Sequence, residues 1–102
     1  MGVGRPWRGV LVAVTTPFRA DLSVDFDRLQ EHVSWLAAEG CHGVAPCASM
    51  GEYQALSDDE RAAVVKATVE AAPSGCAVVP GVGGYGSRQA RRWAEQAAEA
   101  GA

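Results

Sequence analysis

The chain has 102 residues, a formal net charge of -3, 48% hydrophobic residues and 21% charged ones, the make-up of a soluble globular chain and not of a disordered one. Its nine Lys and Arg residues are spread along the sequence apart from the Arg91-Arg92 pair, which excludes the electrostatic footprint of a nucleic-acid binder. Three cysteines, Cys41, Cys47 and Cys76, are odd in number and form no CxxC pair; they argue against a disulfide framework or zinc knuckle and for small buried hydrophobes in a reducing, cytoplasmic compartment.

Arg5 and Arg8 precede a short apolar run, Val10 to Val14, too brief for a signal-peptide core or a membrane span. It fits a first parallel strand buried on both faces. Thr15-Thr16-Pro17-Phe18 ends it, because proline cannot donate to a ladder. A first helix is expected from Asp25, a good N-cap, to about Glu39, with Phe26, Leu29, Val33 and Leu36 on one face and Gly40 closing it. The second strand is Gly43 to Cys47. Ser57-Asp-Asp-Glu60 then reads as a capping box, opening a second helix that runs through Val65 and Val69 to about Ala72, where Pro73-Ser-Gly75 breaks it.

The third strand is Ala77 to Gly81. A third helix is expected from about Ser87, a candidate N-cap, to about Ala100, with Ala94, Ala97 and Ala98 as a small-residue face for packing against a sheet and Gly101 as the C-terminal turn. Trp35 and Trp93 serve helix packing or a subunit contact.

Three successive strand–loop–helix units predict an α/β fold with a parallel sheet. A complete (β/α)₈ barrel, the TIM barrel, needs about 250 residues, so the chain reads as the first three βα units of one, residues 1–102 being the N-terminal part of a single barrel domain. Such a piece buries its apolar faces incompletely, and we expect it to be inactive alone and marginal or prone to aggregate.

The chemistry-bearing segment is the loop after the second strand, Ala48-Ser-Met-Gly-Glu-Tyr53, where α/β enzymes keep substrate-binding groups. Taken alone, Ser49 reads as a turn residue bonded to local backbone or as a substrate-binding hydroxyl. Thr16, at the carboxyl end of the first strand, faces the same rim and is a candidate substrate-binding residue beside Ser49 and Met50; it either supports the site through a hydrogen bond or simply ends a strand before a proline. Tyr53 lines the mouth or covers apolar surface. Lys66 is the chain's single lysine; mid-helix, with Glu70 four residues on, it reads as an exposed ion-pair partner. His32 and His42 suggest no metal site.

Val14-Thr-Thr-Pro-Phe18, then Ala48-Ser-Met-Gly-Glu52 with Leu56-Ser-Asp-Asp-Glu60, then Val79-Pro-Gly-Val-Gly83 resemble, in order and spacing, the N-terminal motifs of the dihydrodipicolinate synthase and N-acetylneuraminate lyase family. The resemblance runs from about Arg8 to Ala102. It implies a (β/α)₈ barrel acting as a lyase or aldolase, with a lysine Schiff base to pyruvate or another 2-oxo acid, no cofactor or metal, no nucleic-acid or membrane partner, and a homo-oligomer when full length.

The family loop typically reads Gly-Thr-Thr-Gly-Glu. Here Ala48 stands for the first glycine, Ser49 for the first threonine and Met50 for the second, while Gly51 and Glu52 are kept. The resemblance assigns Ser49 to the substrate carboxylate region and to a proton relay with a tyrosine, and Met50 to carboxylate binding through its backbone amide. Loss of the second hydroxyl favours a 2-oxo acid other than that of strict dihydrodipicolinate synthases, against a more apolar and adaptable wall. Glu52 is expected to hold the loop by accepting backbone amides. The Schiff-base lysine and the main tyrosine come from later strands of the family barrel, which this sequence does not contain.

A rival pattern is Gly81-Val-Gly-Gly-Tyr-Gly86, which fits GxGxxG between a strand and a helix, as in NAD(P)-dependent oxidoreductases. The acidic residue such a site needs about twenty positions on would fall beyond Ala102. A non-catalytic role, as a truncated barrel fragment or assembly piece, is the other alternative.

Overall fold

The computed structural model describes residues 8–102; Arg5 lies outside them. Three strands, β1 (Leu11–Ala13), β2 (Gly43–Ala45) and β3 (Ala77–Val78), form a parallel sheet in the order β1-β2-β3. Between and after them run α1 (Phe26–Ala38), α2 (Asp58–Ala71) and α3 (Ser87–Ala100). Each helix packs beside the next, α1 on α2 and α2 on α3, the singly wound progression of a (β/α)₈ barrel wall.

The strands are shorter than the apolar runs Val10–Val14, Gly43–Cys47 and Ala77–Gly81, but the ladder continues past them. Val14 N–H donates to the Ala45 carbonyl at 3.2 Å, Val79 to Val44 at 2.9 Å and Gly81 to Pro46 at 2.8 Å. Regular pairing fades where Cys47 turns out of line with φ 59°.

Helix starts follow local chemistry. Asp25 caps α1 by accepting the Arg28 amide at 3.0 Å. The Ser57 capping box forms in both directions, Glu60 N–H to Ser57 Oγ at 3.1 Å and Ser57 N–H to Glu60 Oε1 at 2.8 Å. For α3 the expected N-cap Ser87 is instead the first helical residue, and the cap is Gly86. Its φ of 109° is a backbone state that glycine adopts without steric cost. Gly101 ends α3 in a left-handed conformation.

The core lies between sheet and helices: Val14, Val44 and Cys47 meet Val24, Leu29, Val33, Val64, Val65 and Ala67. Each fully buried Val or Leu contributes about 1.5–3 kcal/mol relative to exposure. Gln30 Nε2 ties α1 to α2, donating to the Ala67 carbonyl and Glu70 Oε2, both at 3.1 Å. Glu70 is thus engaged by Gln30, and the Lys66–Glu70 ion pair expected from spacing is not among those formed by the described residues. The small-residue face expected of α3 is corrected too: Trp93 and Ala97 are buried, whereas Ala94 and Ala98 are exposed.

On the other side of the sheet, register places Leu11, Gly43 and Ala77 together and Ala13 beside Ala45. Ala13 is exposed and Leu11, Ala45 and Ala77 are only half-buried. That face would line a barrel interior, and no helix among the described residues packs on it. Among the described residues no helix is long and apolar enough to cross a membrane.

Candidate active-site loop

The chain leaves β2 through Pro46 and Cys47, both buried, and enters a 3₁₀ turn at Ser49–Gly51, followed by a second at Tyr53–Ala55. Gly51 N–H donates to the Ala48 carbonyl at 3.0 Å and Glu52 N–H to Ser49 at 3.1 Å. Ser49 and Met50 therefore lie within the first bond of the turn, their own amides taking no part in either bond, and both residues are exposed, Met50 at 60%. Glu52 sits between the turns at φ 56°, ψ 40°. Its side chain is exposed, and it shapes the loop through this left-handed backbone rather than through the carboxylate-to-amide bonds expected of it.

Thr16 lies directly beneath the turn. Only 5% exposed, its hydroxyl donates to the Gly51 carbonyl at 2.7 Å. The hydrogen bond expected of Thr16 is formed, and its acceptor is the backbone of the loop. Gly51 is buried here, and a Cβ on it would come within 3.1 Å of the Val14 carbonyl. Ser49, Met50 and Thr16 are thus gathered at the carboxyl end of the sheet.

The loop after β3 closes against the same region. A Cβ on Gly81 would meet the Cys47 carbonyl at 2.4 Å, so glycine is required for the two loops to touch. Gly83 faces Tyr53 and Gly86 provides the positive-φ cap. All three glycines of the GxGxxG pattern therefore have packing or backbone reasons to be present.

Sequence reading passed over Arg61. On the first turns of α2, it is 5% exposed, with its guanidinium carbon 4.7 Å from the Tyr53 ring centroid and 4.4 Å from that of Trp93. Nη2 donates to the Gly81 carbonyl at 3.1 Å, while Nε has no partner among the described residues. Burial lowers its pKa, but a guanidinium stays charged. Beside it, the Cys47 thiol donates to the Arg61 carbonyl at 3.7 Å. Burial pushes that thiol up to about 11, against a smaller opposing pull from Arg61, so it is protonated and unreactive at neutral pH.

Tyr53 is half-buried against the core, which favours its covering role. Trp93 packs between helices, while Trp35, 56% exposed, stacks on His32 at 6.0 Å. His42 Nδ1 accepts the Val10 amide at 2.9 Å. Lys66 is exposed on α2.

This fold recurs in known proteins. The model of the dihydrodipicolinate synthetase family matches residues 6–102. The chain is 39% identical over 98 residues to the 4-hydroxy-tetrahydrodipicolinate synthase of Methanosphaerula palustris, covering 94% of this chain and 34% of that protein. With the enzyme of the same name from Rhizobium meliloti it shares 40% over 96 residues, or 94% of this chain and 33% of the other. Among solved structures, the dihydrodipicolinate synthase of Rhodopseudomonas palustris superposes with a TM-score of 0.89 at 29% identity, over 95% of this chain and 32% of that one. The chloride-inhibited enzyme of Acinetobacter baumannii, complexed with pyruvate, does so at 0.88 and 29%, over 92% and 32%. The chain spans about a third of the length of the curated relatives it matches. The three βα units, the turn poised on Thr16 and this agreement across residues 6–102 lead to one conclusion: the chain belongs to the dihydrodipicolinate synthetase family.

Proposed function

We propose that residues 1–102 are the N-terminal part of a single barrel domain and carry the carboxylate-binding loop of a class I lyase or aldolase, one that forms a lysine Schiff base with pyruvate or another 2-oxo acid. The observation that carries this reading is the Ser49–Gly51 turn, exposed at Ser49 and Met50 and held from below at Gly51 by the Thr16 hydroxyl. The Met50 amide and the Ser49 hydroxyl bind the substrate carboxylate region, and Ser49 relays a proton with a tyrosine supplied by another strand. Thr16 is a positioning residue, since its hydroxyl is committed to Gly51. Met50 gives the pocket an apolar, adaptable wall. The reading needs no cofactor, and it includes assembly as a homo-oligomer by family resemblance. The free thiols Cys41, Cys47 and Cys76 suit the cytoplasm.

A Schiff base needs an amine kept neutral by a desolvated or cationic setting. Exposed Lys66 lacks the desolvation, so the nucleophile belongs to a part of the barrel outside these residues. The protein expressed from its complete reading frame should gain a pyruvate adduct on a lysine under borohydride reduction. No adduct, where an authentic family member labels, sinks the reading. Residues 1–102 alone should leave Lys66 unlabelled.

A second reading, a non-catalytic barrel fragment or assembly piece, is favoured by the uncovered face at Ala13. A reading frame lacking any further βα pattern with a strand-borne lysine would select it.

A further inference from the structure

We propose that Arg61 is the residue that positions the Ser49–Glu52 turn for its substrate, acting through Tyr53 and Gly81 without touching the substrate itself. This rests on the carboxylate-loop reading of that turn.

The turn has two ends, and Arg61 holds both. At its C-terminal end the chain passes through left-handed Glu52 straight into Tyr53, whose ring lies under the guanidinium at 4.7 Å. At its N-terminal end Cys47 and Ala48 are pressed against Gly81, whose carbonyl accepts the Nη2 bond. The Cys47 thiol in turn donates to the Arg61 carbonyl. The Trp93 ring of α3 also packs on the guanidinium, at 4.4 Å.

The choice of residue follows from shape. A planar cation can stack on two rings while its in-plane N–H groups reach a carbonyl at the edge. Lysine has no plane to stack, and methionine has no donor. Among the described residues no carboxylate lies within ion-pair distance of Arg61. A buried cation whose direct contacts are ring faces and one carbonyl, with the Asp58 carboxylate acting on it only from beyond ion-pair distance, is costly to keep for stability alone. Its place at the junction of both loops with α2 and α3 supplies another reason to keep it.

The test uses the protein expressed from its complete reading frame, free of ligand, with amide hydrogen exchange as the first readout. In R61M the amides of Gly51, Glu52, Ala55 and Leu56, which close the two 3₁₀ turns, should exchange about tenfold faster or more while those of α1 are unchanged. R61K should behave like R61M. Tyr53→Leu should give the same pattern, and the double variant no more than either single one, because both break one linkage. Should R61M fail to fold, Arg61→Lys and Tyr53→Leu carry the test. Wild-type exchange in the turns, equal acceleration in α1, or full rescue by lysine would each overturn the proposal.

In the catalytic assay with pyruvate, the KM of R61K should rise about tenfold, by more than kcat falls; the reverse split would count against it. If wild-type protein traps no pyruvate, the carboxylate-loop reading fails on its own. The exchange experiment still decides whether Arg61 positions the turn.

Discussion

Thr16 concentrates the local argument in one bond. Its buried hydroxyl donates to Gly51 at 2.7 Å, so Thr16→Val leaves a carbonyl without its partner in a water-poor place. That costs about 1–3 kcal/mol, seen as a lower urea midpoint with unchanged slope, together with a raised KM for the 2-oxo acid. Thr16→Ser should recover most of both. The Cys47 thiol makes a second expectation, in pH. Its pKa is raised from 9.0 to about 11 by burial, so the fold favours the neutral form. That contribution is complete below pH 9 and is lost as pH rises toward 11, at about 1.4 kcal/mol per pH unit. Urea midpoints of wild type and Cys47→Ala should converge over that window, and parallel curves would refute the assignment. The family resemblance pointed to Ser49 and Met50, and the end of the first strand to Thr16, because each lies in a short contiguous motif. It could not point to Arg61, whose burial depends on Tyr53, Gly81 and Trp93 folding around it.

Among the elements, the most legible signals were those written within one helical turn. Asp25 and the Ser57–Glu60 box cap their helices as their spacing requires. Ser57→Ala should therefore cost about 1 kcal/mol, measurable by chemical denaturation, with Ser57→Asp close to neutral. Less legible were features set by neighbours. Ser87 lost the cap to Gly86 because the incoming loop demands a positive φ. Of the expected face of α3 only Ala97 is buried, joined by Trp93, while Ala94 and Ala98 are exposed because α3 packs on α2 with Trp93 against Arg61. The apolar runs marked the ladder well, since its bonds reach Val14 and Gly81. They could not mark where two-sided pairing ends.

For the molecule as a whole, the uncovered face around Ala13, Leu11, Ala45 and Ala77 governs behaviour. Exposed apolar sheet surface and unpaired outer edges favour association. Residues 1–102 produced alone should therefore melt broadly and with a dependence on protein concentration; a sharp, concentration-independent transition of a monomer would contradict this.

The ladder bonds also define which pairings the sheet refuses. Ala77, Val79 and Gly81 donate to His42, Val44 and Pro46, so Pro80 falls between donors, where its missing N–H goes unnoticed. Slide β3 by one residue and Pro80 would have to donate, while every side chain would swap faces. The imino acid thus works as a key cut for one alignment: it removes no bond to β2 in the correct register and would remove one in its nearest competitor.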